Sequence, residues 1–207
     1  MANDFDAVAE GARRVLEAKH QAREVVIAAS RRTIQSSAAS IRATHRGEFS
    51  DAQSAIDAAR RGLDEAHGAV QTYPDVATSG PLMDARKEYV EAVLTLAFVT
   101  NAPLVGPEQL GVGPAEYLNG MAEAASELRR QVLDRLRAGD TEPAERLLTT
   151  MDEVYSVLVT IDYPDALTLG LRRTTDALRA VLERTRGDLT TTIVATRLQE
   201  AIAGHGE

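Results

Sequence analysis

The chain has 207 residues, of which 44% are hydrophobic and 4% aromatic, and it contains no cysteine. It carries 31 acidic and 23 basic residues, so its formal net charge is −8. This balance argues against a protein that coats nucleic acid with its whole outer surface, and the lack of cysteine excludes thiol catalysis and iron–sulfur clusters. No apolar stretch approaches the roughly 20 residues that cross a bilayer, and the first residues lack a hydrophobic signal core. We therefore expect a cytoplasmic protein with no membrane partner.

Apolar residues recur at spacings of three and four along almost the whole chain, and no stretch alternates as a strand does. This pattern predicts an all-α fold, a single helical-bundle domain of about six to seven helices that covers residues 1–207. The predicted helices run from Asn3 or Asp4 to about His45, from Ser50 to Tyr73, from Leu82 to Thr100, from Ala115 to Arg137, from Asp140 or Thr141 to before Pro164, and from Asp165 to Ile202.

The ends and interruptions of these helices follow from particular residues. Ser50 and Gln53 form the pattern of a capping box, and Pro74 stops the second helix. The first helix would be about 60 Å long, a length that usually indicates contacts between subunits. A kink near Ser36 would instead divide it in two. A break near Gly187 is the corresponding alternative in the last helix.

The third helix is apolar on almost every side. The run YVEAVLTLAFV, residues 89–99, has only two polar side chains, Glu91 and Thr95, so this helix is predicted to be buried. A lone carboxylate there is costly, and Glu91 should therefore be protonated, paired with an arginine or bound to a metal. Glu88 lies one turn earlier on an adjacent position of the same face, so the two carboxylates are placed to share one ion.

The fourth helix carries a second pair of carboxylates, Glu123 and Glu127, one turn apart. Two helices that each present two carboxylates inward are a common way for bundles to build a hard-cation site. The alternative for this pair is a solvated surface stripe, in which Glu127 and Arg130 form an ordinary ion pair.

Other catalytic motifs are poorly supported. None of His20, His45, His67 and His205 has the spacing of a metal ligand or catalytic base, and the GVGP segment lacks the lysine of a phosphate loop. Arginine occurs as five adjacent pairs. The pair Arg31 and Arg32 is the better phosphate candidate, because no acidic residue lies between Arg31 and Arg46.

Several segments together resemble the translin and Trax family. KEYVEAV, Lys87–Val93, is similar to the signature helix of Trax, and EYLNGMAEAASELRR, Glu116–Arg130, is similar to the family's Tyr-Leu-x-Gly helix. SRRTI, Ser30–Ile34, resembles part of the family's long first helix, and AGD, Ala138–Asp140, follows at the family's distance. The similarity extends from about Arg23 to Leu198.

This resemblance implies an all-helical subunit of a closed, barrel-like oligomer, by family an octamer, that encloses single-stranded RNA or DNA. Trax-type subunits are magnesium-dependent endoribonucleases, whereas translin subunits bind nucleic acid but lack the acidic cluster. Carried over by motif position, Glu88 and Glu91 match the two glutamates of the signature helix, and Glu127 matches the glutamate before leucine. Glu123 falls where Trax has an aspartate, which keeps the charge and adds one methylene.

By this resemblance the expected function is cleavage of single-stranded RNA with Mg²⁺, or Mn²⁺ in its place, by a homo-oligomer. Glu91 and Glu123 are expected as direct ligands, and Glu88 and Glu127 as ligands or as groups that orient the attacking water. The expected nucleic-acid contacts line the interior and are made by arginines Arg31, Arg32, Arg129 and Arg130, of which Arg130 matches a family arginine. The alternatives are a translin-like single-strand binding protein without turnover and a helical assembly protein whose acidic pairs are only structural.

Overall fold

The computed structural model describes residues 4–77 and 80–204, and within these ranges the chain is helical and has no strand. Six long helices are α1 (Asp4–Arg46), α2 (Phe49–Val70), α4 (Gly80–Thr100), α6 (Pro114–Ala138), α7 (Thr141–Leu158) and α9 (Leu171–Gly204). Three single-turn helices lie in the connections: α3 (Pro74–Ala77), α5 (Pro107–Leu110) and α8 (Asp165–Thr168). The all-α prediction is confirmed. Asn3 and His205 lie outside the described residues.

Helix α1 continues through Ser36 and Ser37 as one element of 43 residues, about 65 Å at 1.5 Å per residue. Its buried positions begin at Val26, and none of the described positions before Val26 is buried. The first half of α1 therefore extends beyond the core that its second half helps to form. The alternative of two shorter helices is wrong.

Two predicted helix boundaries need correction. Helix α2 begins at Phe49, before Ser50, and Gln53 donates to Asp57 instead of closing a capping box. The last predicted helix is interrupted at Leu169 and Gly170, which both adopt positive φ angles (54° and 78°). The break near Gly187 does not occur, because α9 continues through that residue.

Helices α4 and α6 lie at the centre of the packing. Helix α4 contacts α1, α2 and α6, whereas α6 contacts α4, α7 and α9. The two run in the same direction, because Arg86 pairs with Glu116 near the start of α6 while Val90, one turn further along α4, lies against Gly120. None of the described helices is long and apolar enough to span a membrane.

Small residues bring α1 and α2 close together. A Cβ at Gly62 would collide with the Thr33 hydroxyl and lie 3.3 Å from the Ala29 carbonyl oxygen. The Thr33 hydroxyl donates a hydrogen bond of 3.3 Å to the carbonyl of Ala59. Close packing at this interface therefore depends on the missing side chain of Gly62.

Candidate metal and nucleic-acid site

Helices α4 and α6 approach each other closely at Gly120. A Cβ at this position would lie 2.7 Å from the carbonyl oxygen of Lys87 and 2.8 Å from the Cβ of Val90. Only a residue without a side chain fits between these atoms. The close approach brings polar side chains of the two buried helices within reach of each other on either side of the contact.

Three carboxylates from the two helices meet beside this contact. Glu88 and Glu91 on α4 and Glu123 on α6 each place a carboxylate oxygen within 4.8 Å of the others. Glu91 is buried and the other two are partly buried. Carboxylate oxygens at such distances repel one another unless a proton or a cation lies between them. The spacing therefore favours uptake of a cation.

The carboxyl group of Glu91 is the most strongly perturbed group in the cluster. The residue is 8% exposed, and no described side chain or backbone group donates a hydrogen bond to its carboxylate. Burial, together with the negative charges of Glu88, Glu123 and Glu127, raises its pKa from 4.5 to about 8, although Lys87 opposes the shift. Of the three states expected for Glu91, an arginine pair is absent from the described structure. Protonation and metal binding remain.

Lys87 provides the positive charge nearest to the cluster, a role that we did not assign to it from the sequence. Its ammonium nitrogen lies 2.8 and 2.6 Å from the two carboxylate oxygens of Glu123 and 3.3 Å from Glu88. Burial opposes its charge, but the hydrogen bonds and charges of Glu123 and Glu88 raise the Lys87 pKa above its ordinary value. Lys87 is therefore cationic and compensates one of the negative charges.

Glu127 lies outside this cluster and has a different partner. Its Oε2 atom is 2.7 Å from Nε2 of His45, whose side chain is only 2% exposed. The other ring nitrogen, Nδ1, is 3.2 Å from the amide nitrogen of Gln131. Three of the four predicted glutamates thus come together, and the fourth is held beside them by a histidine of α1.

The comparisons with known proteins match the helical fold of this chain. The chain is 33% identical to AfC3PO, with a TM-score of 0.83, and the match covers 90% of this chain and 97% of AfC3PO. AfC3PO has been solved alone and in complex with duplex RNA. The chain belongs to the translin/Trax family of C3PO-type proteins.

Other similarities are more distant. This translin/Trax protein shares its fold with apo-NeC3PO at a TM-score of 0.76 and 20% identity, over 93% of this chain and 98% of the other. An uncharacterized protein of Methanocaldococcus jannaschii is 28% identical over 187 residues, which cover 88% of this chain and 81% of the relative. No family model matches the sequence.

Two of the four predicted nucleic-acid arginines of this translin/Trax chain form short ion pairs with residues of other helices. Arg32 on α1 lies 2.6 Å from Glu65 on α2. Arg129 on α6 lies 2.8 Å from Asp188 on α9 and also donates to the Thr185 hydroxyl. These arginines join neighbouring helices, and a phosphate would have to compete for them.

The other two arginines are more accessible. Arg31 is exposed and has no ion pair among the described residues. Arg130 has a side chain that is 63% exposed, and its nearest acidic group, on Asp134, is 4.0 Å away. Arg130 also lines one surface depression with Glu127, so it lies on the carboxylate side of α6.

The basic stretch after Arg31 carries less free charge than the sequence suggested. Arg32 is neutralised by Glu65, Arg46 hydrogen-bonds Glu48, and His45 points into the protein. The acidic partners of the first two come from α2 and the α1–α2 turn. Part of the charge that looks uncompensated along the chain, that of Arg32 and Arg46, is therefore compensated in space.

The donor set of the cluster indicates which ion it suits. Glu88, Glu91 and Glu123 offer only carboxylate oxygens, which hard cations such as Mg²⁺ and Mn²⁺ prefer. A cation would also satisfy the Glu91 carboxylate, for which the described part of the chain provides no hydrogen-bond donor. The residues present fit a divalent metal ion.

Proposed function

We propose that this chain is a Trax-type, Mg²⁺-dependent endoribonuclease that binds and cuts single-stranded RNA inside a homo-oligomer. The observation that carries this function is Glu91: a buried carboxylate that receives no hydrogen bond from the described residues and lies within 4.8 Å of carboxylates from Glu88 and Glu123. An ionised carboxylate buried there without a donor would destabilise the fold, so Glu91 must be protonated or bound to a cation, and its closeness to two other carboxylates supports the cation.

Glu91 and Glu123 would hold the metal ion directly, with Glu88 as a third ligand, and Mn²⁺ would substitute for Mg²⁺. When bound, Mg²⁺ supplies Lewis acidity toward the scissile phosphate and makes water a better nucleophile. Glu123 must leave its contacts of 2.8 and 2.6 Å with Lys87 to bind a metal with both oxygens. Lys87 would then be released from Glu123, and its ammonium, which lies 3.3 Å from Glu88, would be available to stabilise negative charge on a phosphate bound at the cluster.

RNA is the proposed substrate because AfC3PO, at 33% identity, has been solved with an RNA duplex. Recognition through the backbone suits the few aromatic residues of this chain and is largely independent of base sequence. Arg130 and Arg31 are the first contacts that we assign, because they have no strong internal ion pair. Arg129 and Arg32 would contribute after exchanging Asp188 and Glu65 for phosphate.

A homo-oligomer, an octameric barrel by family resemblance, completes the proposed function. Apolar side chains lie exposed along one face of the protruding half of α1, including Phe5, Val8 and Leu16, which are 83%, 69% and 65% exposed. They follow one another by three and eight residues, close to one and two helical turns, and so lie on one side of the helix. A second exposed apolar stripe follows Val194 and Leu198 near the end of α9. Such stripes on extended helices are suited to contacts between subunits.

Charges placed on this face of α1 should break the oligomer. We expect the double variant Val8→Glu, Leu16→Glu to sediment with a mass closer to the 22.3 kDa of one chain than the wild type does. The matched control, Ala7→Glu with Arg14→Gln, makes the net charge more negative by the same two units on the opposite face of the same helix and should sediment as the wild type does. An unchanged mass for the first variant would show that this face is not an interface.

Cleavage of end-labelled RNA tests the proposed activity. We expect the wild type to cut single-stranded RNA with Mg²⁺ but not with a chelator, and we expect Glu91→Gln to cut at least about 100-fold more slowly, as loss of a metal ligand implies. A duplex of the same sequence tests whether the protein prefers single-stranded or double-stranded RNA. It is included because AfC3PO has been solved with duplex RNA. Tight binding without cleavage by either protein would instead identify a translin-like binding protein.

A further inference from the structure

His45 is buried where the last turn of α1 meets α6. Its side chain is 2% exposed, with Nε2 2.7 Å from Oε2 of Glu127 and Nδ1 3.2 Å from the amide nitrogen of Gln131. Glu127 and Gln131 are one turn apart on α6, so the imidazole spans two successive turns of that helix. A histidine so enclosed makes contacts that a surface histidine does not.

The contacts define which ring nitrogen carries the proton. The amide nitrogen of Gln131 also faces the carbonyl oxygen of Thr44 at 3.5 Å, an acceptor only, which fixes the orientation of the amide. The same nitrogen therefore donates to Nδ1 of His45. Nε2 then carries the hydrogen and donates it to the carboxylate of Glu127.

This hydrogen bond decides where the Glu127 carboxylate lies. Glu127 is one turn after Glu123, yet its oxygens are not part of the cluster that Glu88, Glu91 and Glu123 form. Its carboxylate is nevertheless close enough to raise the Glu91 pKa. With Oε2 bound to His45, the second oxygen, Oε1, has no hydrogen-bond partner among the described residues.

We propose that His45 is a positioning residue that holds Glu127 beside the carboxylate cluster, with Gln131 fixing the imidazole, so that Glu127 orients the attacking water rather than binding the metal. This role rests on the proposed nuclease function. The sequence alone could not distinguish the roles of the four carboxylates. In this proposal Glu88, Glu91 and Glu123 hold the metal ion, and Glu127 orients the attacking water.

The test compares His45→Asn with His45→Gln. The asparagine amide reaches only to the position of Nδ1 and leaves Glu127 without a donor, whereas the glutamine amide reaches to the position of Nε2 and keeps one. We expect His45→Asn to lower kcat by about 10- to 100-fold, the usual effect of losing such an orienting contact. The KM for RNA and the affinity of RNA-free protein for Mn²⁺, measured by calorimetry, should change less than about twofold, and His45→Gln should recover most of the rate.

A double-variant cycle shows whether His45 acts through Glu127. In a Glu127→Gln background, His45→Asn should cause little further loss of kcat, because the group that it positions is already gone. His67→Asn, a change at an exposed histidine of α2, is the matched control and should behave as the wild type. If His45→Asn does not fold, Gln131→Met removes the donor to Nδ1 and should lower kcat with unchanged Mn²⁺ affinity.

The outcomes separate the two proposals. An active wild type together with an equally active His45→Asn overturns the positioning role and leaves the nuclease function intact. Weaker Mn²⁺ binding by more than about tenfold in His45→Asn also overturns it, since Glu127 would then be a ligand. A wild type that binds Mn²⁺ but does not cleave overturns the nuclease function, and the positioning role with it.

Discussion

Glu91→Gln is expected to make the metal-free protein more stable at pH 8 while it removes the stabilisation that Mg²⁺ gives the wild type. The Glu91 carboxyl has a pKa of about 8 in the folded chain, against an ordinary value of 4.5. Below pH 4.5 the group is protonated in both the folded and unfolded states and has no effect on stability. As pH rises from 4.5 to 8, the unfolded state loses the proton first, so the folded state is increasingly disfavoured.

The size of the expected stability change follows from the size of the Glu91 pKa shift. Each pKa unit corresponds to about 1.4 kcal/mol, so the full shift disfavours folding by about 4 to 5 kcal/mol at pH 8. Glutamine removes this cost but buries an amide without a donor, which costs about 1 to 3 kcal/mol. We therefore expect a net gain of about 2 kcal/mol in the free energy of unfolding at pH 8, and no gain at pH 4.

With Mg²⁺ bound, the wild type should become more stable than Glu91→Gln, the reverse of their order without metal. At 100 times its dissociation constant, a ligand that binds only the folded state stabilises it by about 2.7 kcal/mol. Denaturant titrations with chelator and with Mg²⁺ measure both effects. Glu145→Gln, at an exposed glutamate of α7, makes the same chemical replacement and should change neither the stability at pH 8 nor the stabilisation by Mg²⁺. A Glu91→Gln protein less stable than the wild type at pH 8 in chelator would contradict this account.

The periodicity of the sequence predicted the long helices because it records which faces are buried. The run from Tyr89 to Val99 is apolar all round, and α4, which contains it, lies against α1, α2 and α6. The single-turn helices α3, α5 and α8 are too short to carry a period. The predicted helix break at Gly187 is wrong. Nothing lies within 4 Å of where a Cβ at this position would be, and α9 continues through Gly187 because an exposed glycine destabilises a helix only slightly.

Within the site, the sequence could predict only which side chains are neighbours on the same helix. Spacing placed Glu88 beside Glu91, and it placed Glu123 beside Glu127, since both pairs lie within one turn. It could not show that Lys87 faces Glu123, or that His45 reaches Glu127 from 82 residues away. Those contacts depend on how two helices are rotated and offset against each other, which the pattern of one helix does not record.

The offset of α4 and α6 depends on Gly120, and Gly120→Ala is expected to disturb both stability and the site. The added Cβ would lie 2.7 Å from the Lys87 carbonyl and 2.8 Å from Val90 Cβ, distances that require the two backbones to move apart. Such overpacking costs about 1 to 3 kcal/mol, partly offset by the higher helix propensity of alanine. We expect a net loss of about 1 to 2 kcal/mol.

Gly120→Ala should weaken metal binding more than its loss of folding stability suggests. Glu91 and Glu123 belong to different helices, so any separation of α4 from α6 separates their carboxylates directly. Displacements well below 1 Å impair metal and catalytic geometry, and we expect at least about a tenfold weaker affinity for Mn²⁺ and a comparable loss of cleavage. Calorimetric Mn²⁺ titration and denaturant unfolding of the same preparations measure the two effects separately.

Two other glycines provide matched controls. Gly62→Ala overpacks α1 against α2 at Thr33, so it should destabilise the fold to a similar extent but leave the affinity for Mn²⁺ unchanged. Gly187→Ala meets nothing within 4 Å and should stabilise α9 by up to about 1 kcal/mol. If Gly120→Ala and Gly62→Ala bound Mn²⁺ equally well, the close approach at Gly120 would not be what sets the spacing of the carboxylates. A loss confined to Gly120→Ala would show that one missing side chain between two helices holds the metal ligands in place.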